Sequence, residues 1–216
     1  MERFIAEKKK SSPDTAADEI ADKKKAVAAA LENVDWKLWI GTAPYREYWP
    51  GLYHSFAWRG WWDFGTGALG DMACHLVNMV FKGCDLRNPT SVVAKTSGHD
   101  FNSFPQTSVC EFAIPANSWR GPVRFVWYDS KQTPAPELAA KYGFGKFSEG
   151  GGSLVIGDKG AMYGGTSHAE GGKVLEAPKD LDYVIAPIDE QKRGGDARHK
   201  FEWFNAIWQN KPSLCW

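Results

Sequence analysis

Residues 58–75 read WRGWWDFGTGALGDMACH, and the fold turns on where this stretch is divided. Its first half crowds tryptophan, arginine, aspartate and glycine together without a sustained period. From Gly67 a helical period begins. Leu69, Met72, Leu76, Met79 and Val80 recur at the spacing of one helix face, and Gly83 follows as a stop. The spacing predicts a helix from Gly67 to Phe81, with Gly65, Gly67 and Gly70 allowing close backbone approach around its start.

Upstream, residues 35–66 are dense in aromatic residues, glycine and proline, and predict a long ordered loop that is functional or packed by its own side chains. Residues 1–34 have another texture, rich in Ala, Lys, Asp and Glu. A Ser12-Pro13-Asp14 start and a thin stripe of Ala16, Ile20, Val27 and Leu31 predict an amphipathic helix over 14–33. Such a stripe needs a partner; without one the helix is a solvated, partly frayed arm. The expected division is therefore an N-terminal helical arm, 1–34, and a domain over 35–216.

Downstream, 90–97, 107–114 and 122–129 have strand length and apolar alternation, bounded by Gly, Pro, Asn or Asp. A Pro-rich loop follows. SLVIGDKGAMYGG, 153–165, reads as a hairpin, and 181–188 as a further strand. DARHKFEWFNAIWQN, 196–210, closes as a helix with Phe201, Phe204, Ile207 and Trp208 on one side. Successive strands without intervening helices predict an α+β fold, a mainly antiparallel open β-sheet with helices on one face.

Bulk composition narrows the class. Apolar residues make up 43% and charged residues 24% of 216 positions, ordinary for a water-soluble domain. Lys plus Arg and Asp plus Glu balance at 26 each, so no basic surplus marks a nucleic-acid partner. No apolar run reaches bilayer length and no secretory leader opens the chain, so neither a membrane nor export is expected, and the cytoplasm is the expected compartment. Cys74, Cys84, Cys110 and Cys215 form no zinc spacing and read as free thiols, with a Cys74–Cys84 bridge as the alternative. Eleven tryptophans is an outlying count; the residue serves cores, interfaces and sugar-stacking platforms alike, and most are expected in a core or interface with a few lining a pocket.

Asp71 and His75 are one helical turn apart and share a face. A carboxylate so placed stabilises a protonated imidazole and orients it, which suits a general base acting on a substrate hydroxyl. The plainer alternatives are a surface ion pair or a hydrogen-bonded core histidine. No further His or Cys cluster completes a metal site. The preceding segment holds Tyr53, His54, Trp58, Arg59, Trp61 and Trp62, aromatic faces beside polar donors, a surface suited to a sugar ring.

The run DWKLWIGTAPYREYWPGLYHSFAWRGWWDFGTGALGDMACH closely resembles the C-terminal half of Gfo/Idh/MocA oxidoreductases. GGSLVIGDKGAMYGG and RHKFEWFNAIWQNKPS resemble two further landmarks of that family in the same order. The resemblance implies a nicotinamide-dependent enzyme, using NAD or NADP, that acts on a sugar, a polyol or a related hydroxy compound. It also implies that Asp71 and His75 match the Asp and His of the family's Lys–Asp–His group. Trp58, Arg59, Tyr53, His54, Trp62 and His199 are the expected substrate-binding residues, His199 by its match near the start of the closing helix.

Family members open with a parallel dinucleotide-binding domain and its G-x-G-x-x-G/A turn, and supply the lysine from a Glu-Lys-Pro motif. Neither occurs here: YGFGKFSEGGG, 142–152, lacks a preceding βαβ unit, and AEKKKSSP, 6–13, lacks a Lys-Pro step. The expectation is a fragment whose cofactor-binding residues lie elsewhere, inactive alone. The alternatives are one half of a split enzyme with a separate nucleotide domain, a stand-alone carbohydrate-binding or oligomerisation module, and part of an NAD-dependent glycoside-cleaving enzyme. Homo-oligomers through the open sheet face are also expected.

Overall fold

The structure, a computed structural model, describes residues 13–130, 132–169, 172–176 and 195–212; the strand expected at 181–188 lies outside them. The chain divides into two units, Met1–Ala177 and Pro178–Trp216. In the first, helix α1 spans Pro13–Leu31. Of its expected stripe, Val27 packs with the neighbouring Ala30 against a buried cluster of Trp36, Ile40, Tyr48 and Tyr53, while Leu31 stays exposed.

That cluster organises the aromatic segment. A one-turn helix, α2 (Trp36–Ile40), is capped by Asp35, whose Oδ1 accepts the Leu38 N–H at 3.1 Å. Trp36 stacks on Trp39 with centroids 4.7 Å apart, and its indole N–H donates to the Arg46 carbonyl at 2.6 Å. Tyr53 lies 4.9 Å from Trp61. Burying each large ring contributes about 1.5–3 kcal/mol. Side-chain packing therefore holds a segment whose only regular backbone, beyond α2, is a 3₁₀ turn at Ala57–Gly60.

The single helix expected from Gly67 is two: α3 (Gly67–Leu76) and α4 (Asn78–Cys84). They part at Val77 because the Ser153 hydroxyl donates to the Leu76 carbonyl, an acceptor that a continuous helix would use itself. Gly83 lies inside α4 and is not its stop. The chain turns at Asp85, which adopts a left-handed φ of 48°. Arg120 secures this end by donating to the carbonyls of Cys84, Asp85, Pro115 and Gly121.

Three strands, β1 (Ser91–Thr96), β2 (Ser108–Ile114) and β3 (Val123–Tyr128), form an antiparallel sheet in that order. The register sets Cys110 opposite Trp127 and Phe112 opposite Phe125, all on one face. Helix α3 covers this face. Leu69, Met72, Ala73 and Leu76, spaced i, i+3, i+4, i+7, meet Cys110, Phe112, Phe125 and Trp127. The hairpin expected at 153–165 does not extend this sheet. Its strands β4 (Ser153–Ile156) and β5 (Ala161–Gly164) join β6 (Lys173–Glu176) in a second antiparallel sheet. A short helix, α5 (Pro136–Lys141), occupies the expected Pro-rich loop, with proline at its first turn and Ala139 buried. The fold is α+β.

The second unit contributes helix α6 (Gly195–Gln209), on which Trp203, Phe204, Ile207 and Trp208 are exposed. No helix among the described residues is long and apolar enough to cross a membrane. Cys74, Cys84 and Cys110 are free thiols, so the alternative Cys74–Cys84 bridge is not formed.

Candidate functional site

Helix α3 presents two faces. While Leu69, Met72, Ala73 and Leu76 enter the core, Gly70, Asp71, Cys74 and His75 line an open cleft of about 620 Å³. Its opposite wall comes from the aromatic segment: Trp58, Arg59, Trp62, Asp63, Phe64, Gly65 and Thr66. The one-turn spacing thus sets Asp71 and His75 on the same side of one cleft, together with three of the expected substrate residues.

Two glycines make the junction possible. A Cβ at Gly65 would lie 2.4 Å from the Arg59 carbonyl oxygen, so only glycine lets the segment double back beneath the 3₁₀ turn. Gly67, at the first turn of α3, has φ +66°, and its missing side chain leaves room for Phe104. Phe104 also contacts Trp62, with centroids 4.6 Å apart. Backbone bonds from Trp62 N–H to Asn102 O (3.0 Å) and from Phe104 N–H to Gly60 O (2.9 Å) tie the wall to the loop at 100–104. Asp100 holds that loop: its Oδ1 accepts from the backbone N–H of Ser103 (2.7 Å) and Asn102 (2.9 Å). The Ser103 bond first, then the Asn102 bond, draws the Asp100 carboxyl below its ordinary range.

The charges are paired in an arrangement that sequence spacing did not suggest. Arg59 Nε donates to Asp71 Oδ2 at 2.8 Å, and Arg59 Nη1 donates to the Phe56 carbonyl at 3.2 Å. The guanidinium carbon stands 4.6 Å from the Trp58 ring centre and 4.2 Å from that of Phe56. Asp71 is thus paired with Arg59, and among the described residues no hydrogen bond joins it to His75. A guanidinium already held by two rings and a carbonyl offers its N–H at ideal distance, and the charge-assisted bond forms there. Arg46 pairs with the neighbouring carboxylate, Asp63, and lies over Trp61 at 5.4 Å. Burial works to lower the Arg46 pKa, but the Asp63 hydrogen bond and charge overcome it and the net shift is upward.

Tyr53 and His54 do not reach the cleft. Tyr53 is 5% exposed within the aromatic cluster, and the His54 ring stands 6.5 Å from Trp39. Burying the phenol ring against Trp36 and Trp61 removes more apolar surface from water than a place on the open wall could. His199 lies on α6 in the second unit, and its side chain is outside the described residues. Four lining residues went unread in the sequence, Asp63, Phe64, Thr66 and Cys74, although all sit in the same stretch and Cys74 is three residues from Asp71. His168, which does not line the cleft, also went unread: it follows β5 with no local motif, and its ring centroid is 4.7 Å from that of His75. Among the described residues no group of His, Cys, Asp and Glu could hold a metal ion.

Both described sheets are antiparallel, and no strand, glycine-rich turn and helix are arranged in parallel fashion among the described residues. Nothing described therefore fits the pyrophosphate of a dinucleotide. The site's own equipment is an imidazole, an anchored guanidinium, carboxylate oxygens and two indoles around an open cleft, a set able to bind a hydroxylated ring and take up a proton.

A comparison with curated proteins found no match. A family model described as "Oxidoreductase family, C-terminal alpha/beta domain" matches residues 20–108, which span the second half of α1, the aromatic segment, α3, α4 and β1. The two later landmarks, around 151–165 and 198–213, lie beyond the matched residues. Over residues 20–108, then, this chain is similar to the C-terminal alpha/beta domain of the Gfo/Idh/MocA oxidoreductase family.

Proposed function

We propose that the cleft is the substrate-binding and proton-transfer part of a nicotinamide-dependent oxidoreductase acting on a neutral sugar or polyol. The observation that carries this reading is the convergence of Trp58, Arg59, Trp62, Asp71 and His75 on one cleft from two separate segments. Indole faces suit the C–H faces of a sugar ring. The Arg59 donors and the Asp71 oxygen not bonded to Arg59 suit its hydroxyls. His75 accepts the proton of the hydroxyl undergoing oxidation, and Asp71 positions Arg59 beside it. The family implies a nicotinamide as hydride acceptor; since the described residues do not fit one, the step assigned to them is proton transfer alone.

The test is binding by the full chain. A panel of neutral hexoses, cyclic polyols and glycosides is titrated while tryptophan fluorescence is followed. Saturable binding by a panel member is expected, weakened about tenfold, or ~1.4 kcal/mol, in Trp58→Ala and His75→Ala. Absence of binding across the panel, or equal affinity in both variants, overturns the reading.

We also propose that the open face of the first sheet joins a second copy of the chain. Val93, Val109, Val126 and Tyr128 alternate there with Lys95 and the Glu111–Arg124 pair, and β1 is exposed along its whole length. Light scattering at micromolar concentration tests this. A mass near the single-chain 24.0 kDa contradicts it.

A further inference from the structure

With Asp71 engaged by Arg59, no hydrogen bond among the described residues orients the imidazole of His75, and a general base needs such an orienting partner. Another residue occupies that position. His168 stands against His75 with ring planes at 63° and centroids 4.7 Å apart, an edge-to-face arrangement. Ser167 Oγ lies 3.0 Å from His168 Nδ1, a hydrogen bond in which the hydroxyl donates or accepts according to the tautomer of the ring.

The loop bearing His168 is firmly placed. Ala169, next in sequence, is 2% exposed and packs with Leu76, Cys110 and Trp127, directly beneath the last turn of α3. It adopts φ 53°, a conformation that costs an alanine energy and persists only where surrounding contacts impose it. Gly164 receives the Ala169 carbonyl so closely that a Cβ there would lie 2.4 Å from its oxygen. The His168 N–H donates to Thr166 Oγ1 at 3.3 Å. Finally, Ser153, on the strand paired with β5, donates to the Leu76 carbonyl, one residue beyond His75. The second sheet and the loop after β5 thus both engage Leu76, the residue next to the imidazole contact.

We propose that His168 is a positioning residue for His75, and that the line Ser167–His168–His75 sets the orientation of the cleft imidazole in place of Asp71. This rests on the reading of His75 as proton acceptor. The loop after β5 then serves the site as well as the packing beneath α3.

Long-range ¹H–¹⁵N spectra of the imidazoles in the full chain, without added sugar, provide the test. The chain has five histidines, and His75 is assigned by its loss in His75→Gln. A cross-relaxation peak between the His75 and His168 rings is expected. His168→Ala displaces and broadens the His75 signals, Ser167→Ala displaces those of His168, and His168→Phe, which keeps a ring edge, returns His75 towards its original position. Unchanged His75 signals in His168→Ala, or no return in His168→Phe, overturn the proposal. Because His168 is exposed, circular dichroism of each variant is expected to match the parent. Failure of sugar binding with these signals intact refutes the functional reading, whereas intact binding with unmoved signals refutes the positioning.

Discussion

The pairing of Arg59 with Asp71 is the geometric fact most at odds with what their spacing in sequence suggests, and a double-mutant cycle measures it directly. Arg59→Met removes the guanidinium while keeping a long stem, and Asp71→Asn removes the charge while keeping the shape. The side chains are 31% and 30% exposed, so water screens the pair only in part. A charge-assisted hydrogen bond at 2.8 Å in that setting is worth about 1–2 kcal/mol, above the range for a fully exposed pair. Arg59→Met also loses two ring contacts of ~0.5–1 kcal/mol each and one bond to the Phe56 carbonyl of ~1 kcal/mol. The single variant is therefore expected to fall by about 3–5 kcal/mol in all, and the pairwise coupling alone by about 1–2 kcal/mol. Urea denaturation followed by tryptophan fluorescence gives all four corners of the cycle. The companion cycle, Asp71→Asn with His75→Gln, is expected to show coupling within ~0.5 kcal/mol of zero. The reasoning is refuted if the two results are exchanged, with Asp71 coupled to His75 and indifferent to Arg59.

Gly65→Ala forces a Cβ to within 2.4 Å of a backbone oxygen, and is expected to lower stability by about 2–4 kcal/mol and lose the cleft-wall tryptophan environment; a urea midpoint within error of the parent contradicts the close approach. Arg120→Met strands carbonyls at the end of α4 and in the β2–β3 turn, with a loss of about 2–4 kcal/mol in the same assay, much larger than a typical surface substitution. Acid stability follows from two carboxylates held below their ordinary range: Asp100 by backbone N–H bonds, and Glu111 chiefly by its hydrogen bond from Arg124. A depressed folded pKa contributes stability that is present above the unfolded value, about pH 4, and is lost as pH falls through the folded one. Replacing both residues, Asp100→Asn with Glu111→Gln, is expected to flatten the decline of the urea midpoint between about pH 5 and pH 2, and an unaltered slope counts against the assignment.

Local periodicity accounts for much of the architecture. The strands at 91–96, 108–114 and 123–128 lie within one or two residues of the apolar runs that announce them, because alternation reports which face of a strand is buried. The same holds for the division of α3 into a core face and a cleft face, since a one-turn spacing places side chains together whatever surrounds the helix. What escaped notice depends on groups distant in sequence. The break at Val77 requires a hydroxyl from Ser153. The second sheet requires Lys173–Glu176, a strand of four residues too short to carry a period of its own. Tyr53 and His54 lie within the aromatic segment as Trp58 does, yet only packing around Trp36 decides which rings are buried and which face the cleft.

The order of residues alone determined that a helix would carry a carboxylate and an imidazole on one side, behind an aromatic segment that glycine allows to fold back closely. It did so because helical spacing and the steric freedom of glycine are properties of the chain itself. Only the tertiary structure decided that the carboxylate belongs to Arg59 and that the imidazole belongs beside His168. Those partnerships depend on distances of a few ångströms between segments far apart in sequence, and hydrogen bonds and ring contacts fall away steeply beyond such distances.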